Sequence, residues 1–116
     1  MRHHKKGKKF GRVRNQRKAF FSGLASNLIL REKIQTTHPR AKALVEYTEP
    51  LITKAKRGDK FSRALLSSKL SKKALEKLFK ELAPRLKGRK GGTIRIIKSG
   101  RRRKDGAPMA FVEFIA

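Results

Sequence analysis

The chain has 116 residues, enough for one domain, and sets 33 Lys and Arg against 8 Asp and Glu for a formal net charge of +25. It has no Cys, which excludes disulfides, thiolate nucleophiles and cysteine zinc sites, and no apolar run reaches the length of a bilayer span. Hydrophobic residues make up 37%, so a modest core is attainable, but the charge excess adds nothing to a fold and points to a polyanionic partner, nucleic acid before membrane.

The chain opens with RHHKKGKKFGRVRNQRK, in which nine Lys or Arg and two His stand between Arg2 and Lys18 without an acid. Phe10 and Val13 are too little apolar surface to offset the entropy of ordering the segment, so a negative partner outside the chain must order it. It lacks the apolar stretch and small-residue cleavage site of a secretory signal, and Gly7 and Gly11 weaken an amphipathic transit helix. The segment is expected to belong to the mature protein, in a cytoplasm.

A first helix is predicted from an N-cap at Asn15 to about Leu30, with Phe20, Leu24 and Leu28 as its stripe beside Phe21 and Ala25. KIQTT alternates as a short strand. Pro39 then opens a second helix, whose stripe of Ala41, Leu44, Val45, Thr48, Leu51, Ile52 and Ala55 keeps phase to about Arg57. Pro50 falls inside that stripe and predicts one kinked helix rather than two. In the RGD triplet, Gly58 is expected as a helix C-cap, a far plainer reading than a cell-adhesion motif.

Phe61, Ala64 and Leu65 predict a short third helix. A fourth starts at Ser71, with Leu70 and Leu75 as a hydrophobic staple, Leu75, Leu78, Phe79 and Leu82 buried, a Glu76–Lys80 pair outside, and Pro84 as its stop. TIRIIK and MAFVEFI then alternate as the strands of an antiparallel hairpin, with Ala110, Val112 and Phe114 on one side and Met109, Phe111 and Glu113 on the other. Two strands alone are marginal, so the IQTT strand is expected to join them, with helices covering one face.

Charge divides the chain. Residues 1–31 and 82–104 carry ten Lys or Arg each and no acid, whereas residues 32–81 hold six of the eight acids. The centre reads as an ordinary charged helical domain and the ends as polyanion grips, each with glycines that allow close backbone approach to phosphates. Chemistry finds no foothold. His3, His4 and His38 lack metal-ligand spacing, no Gly-x-Ser-x-Gly elbow occurs, and Gly7–Gly11 and Gly88–Gly92 match neither a Walker A loop nor a dinucleotide fingerprint. No enzyme activity, cofactor, metal or small-molecule substrate is expected. Helices three and four are a conceivable helix-turn-helix, but Glu76 and Glu81 interrupt the basic surface of the second. A nucleoid-type DNA-binding protein and a cationic membrane-active protein are the rival classes, the latter weakened because the apolar stripes lie apart from the strongest basic runs.

The stretches IQTTHPRAKAL and EPLITKAK resemble the signature of the bacterial ribosomal protein L-seventeen family, and MRH, LFKELAPR, GG before RI, and DGAPMAFVE follow the family in the same order along essentially the whole chain. The sequence departs from the family at His4, where a long basic side chain is usual, and at GGTIRI, which lacks an aromatic after the glycines. The resemblance implies an α+β fold: a two-layer α/β domain, helices packed on one face of a small three-stranded mixed sheet, spanning 15–116, with a basic N-terminal extension over 1–14. It implies a structural constituent of the large ribosomal subunit that binds 23S ribosomal RNA near the peptide exit tunnel, beside neighbouring large-subunit proteins, and supports assembly and translation.

Charge and resemblance together nominate the RNA contacts. In and just after the extension they are Arg2, His3, Lys5, Lys6, Lys8, Lys9, Arg12, Arg14, Arg17 and Lys18. The signature stretch adds Arg40 and Lys42, and the second basic segment adds Arg85, Arg89, Lys90, Arg95 and Lys98. Arg101, Arg102, Arg103 and Lys104 form the hairpin tip.

Overall fold

The fold is described from a computed structural model over residues 13–115. Helix α1 (Arg14–Arg31) buries Phe21, Ala25, Leu28 and Ile29, so its inward face is centred one residue beyond the predicted Phe20–Leu24–Leu28 line. Asn15 is not its cap. Val13 holds that place in an extended conformation, and its carbonyl accepts from the Arg17 N–H at 2.8 Å, leaving Asn15 inside the first turn. Glu32 ends the helix at φ 66°, donating its N–H to the Leu28 carbonyl, and the chain turns at once into β1 (Lys33–Thr37).

Helix α2 (His38–Arg57) runs unbroken through Pro50 and ends at Gly58 with φ 70°, the left-handed position that glycine occupies without strain. Its predicted stripe faces inward, with Ala41, Leu44, Thr48, Leu51, Ile52 and Ala55 buried. Asp59 then caps α3 (Lys60–Ser67), its carboxylate accepting from the Ser62 N–H at 2.8 Å. Ser62, through its hydroxyl first and its N–H second, holds the Asp59 carboxyl below its ordinary pKa. The RGD triplet is therefore a helix end followed by a helix start. The cap also turns Ser62 and Leu66 inward, contrary to the predicted Phe61–Ala64–Leu65 face, and leaves Phe61 72% exposed.

Ser71 caps α4 (Lys72–Lys77) by accepting from the Ala74 N–H, and Leu70 and Leu75 are both buried, as the staple requires. Two expectations fail beyond it. Pro84 does not end the helix, because a π-helical turn (Leu78–Leu82) widens the backbone ahead of the proline and α5 (Ala83–Leu86) continues to Leu86. The same turn changes the helical register between Glu76 and Lys80, which form no ion pair among the described residues.

Strands β2 (Ile94–Arg101) and β3 (Pro108–Phe114) form the hairpin, and the sheet order is β1–β3–β2. Both pairings are antiparallel, so the sheet is antiparallel rather than mixed: β1 reaches it from the direct turn after α1, opposite in direction to the central strand. Ile34, Thr36, Ile94, Ile96, Ala110, Val112 and Phe114 face the helices by register and burial. The core is one cluster of these with the inward faces of the helices, giving the two-layer α+β architecture. The expected extension is almost wholly outside the described residues.

Candidate nucleic-acid interface

Register decides which basic residues meet. Thr37 pairs with Met109 and Arg101 with Pro108, so the start of α2 lies beside the root of the hairpin tip. A surface hollow there is lined by His38, Lys98, Gly100, Arg101, Pro108 and Met109. The Arg40 guanidinium sits 5.0 Å from the centre of the Phe20 ring, joining the first turn of α2 to the first half of α1. One end of the molecule thus gathers Arg14, Arg17 and Lys18 on α1, Arg40 and Lys42 on α2, Lys98 on β2 and the tip. At the other end, Ile115 donates to the Thr93 carbonyl and Phe114 to the Glu32 carbonyl, where Arg85 and the loop with Arg89 and Lys90 gather beside Arg95. Eight residues of β2 at about 3.3 Å each separate the two ends by roughly 25 Å, so the basic run 82–104 is two patches, not one grip. Arg2, His3, Lys5, Lys6, Lys8, Lys9 and Arg12 lie outside the described residues.

The tip is built rather than slack. Arg102 and Ala107 close it backbone to backbone at 2.8 Å, Gly106 donates to the Arg102 carbonyl at φ 71°, and a bulge between Lys98 and Gly100 bends β2 as it enters. Asp105 accepts two hydrogen bonds from the Arg102 guanidinium, at 3.0 and 2.8 Å, and one from the Ala107 N–H. Those donors, Arg102 first, hold its carboxyl down at about 2 and raise Arg102 above its ordinary value. Arg101 donates to the Gly106 carbonyl. Of the four consecutive cations, Arg103 and Lys104 have no carboxylate within ion-pair distance among the described residues. Two cations brace the loop and two face outward.

The far end is braced in the same way. Glu32 binds Arg85 at 2.8 Å and Lys77 at 3.0 Å, and these two cations hold its carboxyl at about 2. Lys77 also donates to the Leu30 carbonyl, so one cation ties the end of α1 to α4. Glu49, next to Pro50, accepts from the Thr93 hydroxyl and the Ile94 N–H and so sets the first residue of β2. The Lys56 ammonium donates to the Arg89 carbonyl, holding the basic loop against α2. On the sheet, Glu113 binds Arg95 at 2.8 Å and Lys33 at 3.9 Å across three strands. Sequence reasoning nominated Arg85, Arg95 and Arg102 without their carboxylates, and it missed Lys56 and Lys33. Only the Arg102–Asp105 spacing was visible in the chain; the other partners meet through tertiary contacts.

A model of the family described as Ribosomal protein L17 matches residues 20–115. The chain belongs to that family. Curated relatives agree from end to end. The chain is 48% identical over 116 residues to the large ribosomal subunit protein bL17 of Thermodesulfovibrio yellowstonii, covering 99% of this chain and 87% of that protein. It is 48% identical over 115 residues to bL17 of Methylacidiphilum infernorum, covering 98% and 88%. To bL17 of Thermomicrobium roseum it is 45% identical over 117 residues, covering both chains fully. The family match includes α2, the braced tip and the Glu113 row and begins after Arg14, Arg17 and Lys18.

Proposed function

We propose that the chain is a structural constituent of the large ribosomal subunit, acting in the cytoplasm within the ribosome, that binds 23S ribosomal RNA through a basic extension over residues 1–14 and the two ends of a domain over 15–116. The observation that carries this reading is the state of the acids. Of eight, Glu32, Asp105 and Glu113 are in ion pairs and Glu49 and Asp59 accept hydrogen bonds, so the chain's own carboxylates are largely committed, against 33 Lys and Arg in the sequence. Arg14, Arg17, Lys18, Arg40, Lys42, Lys98, Arg103 and Lys104 then face phosphates at one end, and Arg89 and Lys90 at the other. Counterion release drives the association, and the braced domain sets its register. The family resemblance supports a position near the peptide exit tunnel beside other large-subunit proteins, where the chain neutralises packed RNA during assembly.

Sedimentation of a cell extract tests this. The protein is expected to travel with the large subunit, to stay there after deoxyribonuclease treatment and to be released by ribonuclease. Travel with chromosomal DNA, or with membranes, overturns the reading.

A further inference from the structure

The helices cover one face of the sheet, and among the described residues no helix packs on the other. Register places three rows on that open face: Lys33–Glu113–Arg95, then Gln35–Phe111–Ile97, then Thr37–Met109–Gly100. Phe111 and Met109 are half-buried and Ile97 is 41% exposed, so an apolar strip runs along the middle of the face. Its rim is cationic. Lys33 and Arg95 share one carboxylate, Glu113, and the Lys33 ammonium lies 4.6 Å from the centre of the Phe111 ring. Gln35 on β1 donates to the Ser99 hydroxyl on β2 at 3.0 Å, so its exposed amide reaches across the central strand between Phe111 and Met109.

We propose that this face is a stacking platform for unpaired nucleotides of RNA, with Phe111 taking a base and Lys33 and Arg95 the flanking phosphates. The inference rests on the RNA-binding reading and names a second kind of contact within it. Single-stranded RNA is gripped by aromatic rings that stack bases, interleaved with cations that track the backbone. The core of a protein–protein interface is instead depleted of charge, whereas here cations flank the ring directly. Lys33 occupies the ring face in the unbound protein through a cation–π contact, and its 3.9 Å pairing with Glu113 is loose and half-exposed. An incoming base displaces that flexible ammonium, which moves to a phosphate while Glu113 keeps Arg95.

The test uses the full chain and two probes, a short single-stranded RNA carrying a fluorescent aminopurine and a blunt RNA duplex of equal length. The wild type is expected to quench the aminopurine. Phe111→Leu, which keeps an apolar side chain and removes the ring, should weaken single-strand binding roughly 5- to 100-fold, the range for losing one base stack, without altering its salt dependence. Phe111→Tyr should retain binding, Ile97→Ser should weaken it less than Phe111→Leu, and duplex binding should not respond to any of the three. If Phe111→Leu unfolds the chain, the exposed Ile97→Ser still decides. Unchanged single-strand affinity in folded Phe111→Leu, alongside losses on both RNAs from Arg103→Gln with Lys104→Gln, overturns the platform and leaves the RNA-binding reading standing. Normal RNA binding by Phe111→Leu with failed incorporation into the large subunit assigns the face to a protein neighbour, which also overturns it. A wild type that binds neither RNA removes both readings.

Discussion

Thr48 sits fully buried on α2 with a hydroxyl oxygen that has no hydrogen-bond partner among the described residues. An unsatisfied buried hydroxyl costs roughly 1–3 kcal/mol, and valine fills nearly the same shape without it. Thr48→Val is expected to raise stability by about 1 kcal/mol, read from the midpoint of urea unfolding at unchanged slope. Glu32 is the opposite case. Its folded pKa, held at about 2 by Arg85 and Lys77, lies below the ordinary glutamate value of 4.5, so its contribution is complete above that value and is lost as pH falls through the folded one. Because Arg85 is 41% and Glu32 33% exposed, screening leaves about 1 kcal/mol at neutral pH. Glu32→Gln should lower stability by that amount at pH 7, and the difference should close between pH 4.5 and 2 in acid-unfolding curves. At φ 66° both side chains carry the same backbone strain, so the substitution isolates the charge. Phe61, in contrast, belongs to no core. Phe61→Ser should leave the thermal midpoint within about a degree or two, since substitutions at exposed sites change stability by under ~0.5 kcal/mol.

Among the elements, the hairpin tip separates bracing from binding. Arg101 and Arg102 are bound to the loop's own Gly106 carbonyl and Asp105 carboxylate, while Arg103 and Lys104 meet no acid among the described residues. Replacing Arg103 and Lys104 with Gln should reduce the magnitude of the salt slope of RNA binding by about 1.5–2 units, the share of two phosphates, at unchanged melting temperature. Asp105→Asn should loosen the loop, seen as faster amide hydrogen exchange at Gly106 and Ala107, before it changes affinity. Helix and strand spans were legible in the chain because period 3.6 and period 2 are local properties, as KIQTT, the α2 stripe and the final alternation demonstrate. The failures were local rules outvoted by packing. Pro84 reads as a stop, yet burial of Ala83 and Leu86 continues the helix through a widened turn. Phe61 reads as core, yet the Asp59 cap orients Leu66 inward instead.

For the whole molecule, the proposed mechanism predicts that log K for RNA falls linearly with log salt. At about −0.7 to −0.9 per neutralised phosphate, some eight to ten contacts give a slope on the order of −5 to −9. Removing residues 1–14 deletes Arg2, Lys5, Lys6, Lys8, Lys9, Arg12 and Arg14, and the slope should shrink by several units. Circular dichroism should show the helices that begin after that point intact. An unchanged slope would place the extension in solvent and leave binding to the two ends of the domain.

By itself the sequence determined the charge excess, the order of elements and the family, because net charge, hydrophobic period and a contiguous motif are properties of the chain read in line. Arg102 and Asp105, three residues apart, are the one ion pair among the described residues whose partners lie close in the chain. Only the tertiary structure decided which cations meet the chain's own acceptors. Lys33 and Arg95 share Glu113 through strand register, Lys77 and Arg85 share Glu32 through helix docking, and Lys56 holds the Arg89 carbonyl across the fold. Tertiary structure likewise split residues 82–104 into two patches by running β2 between them, and set Phe111, Lys33 and Arg95 on one open face. The physical reason is the same in each case: an ion pair or a binding surface depends on distances of a few ångströms, and sequence separation carries no such distance once the chain has folded back on itself.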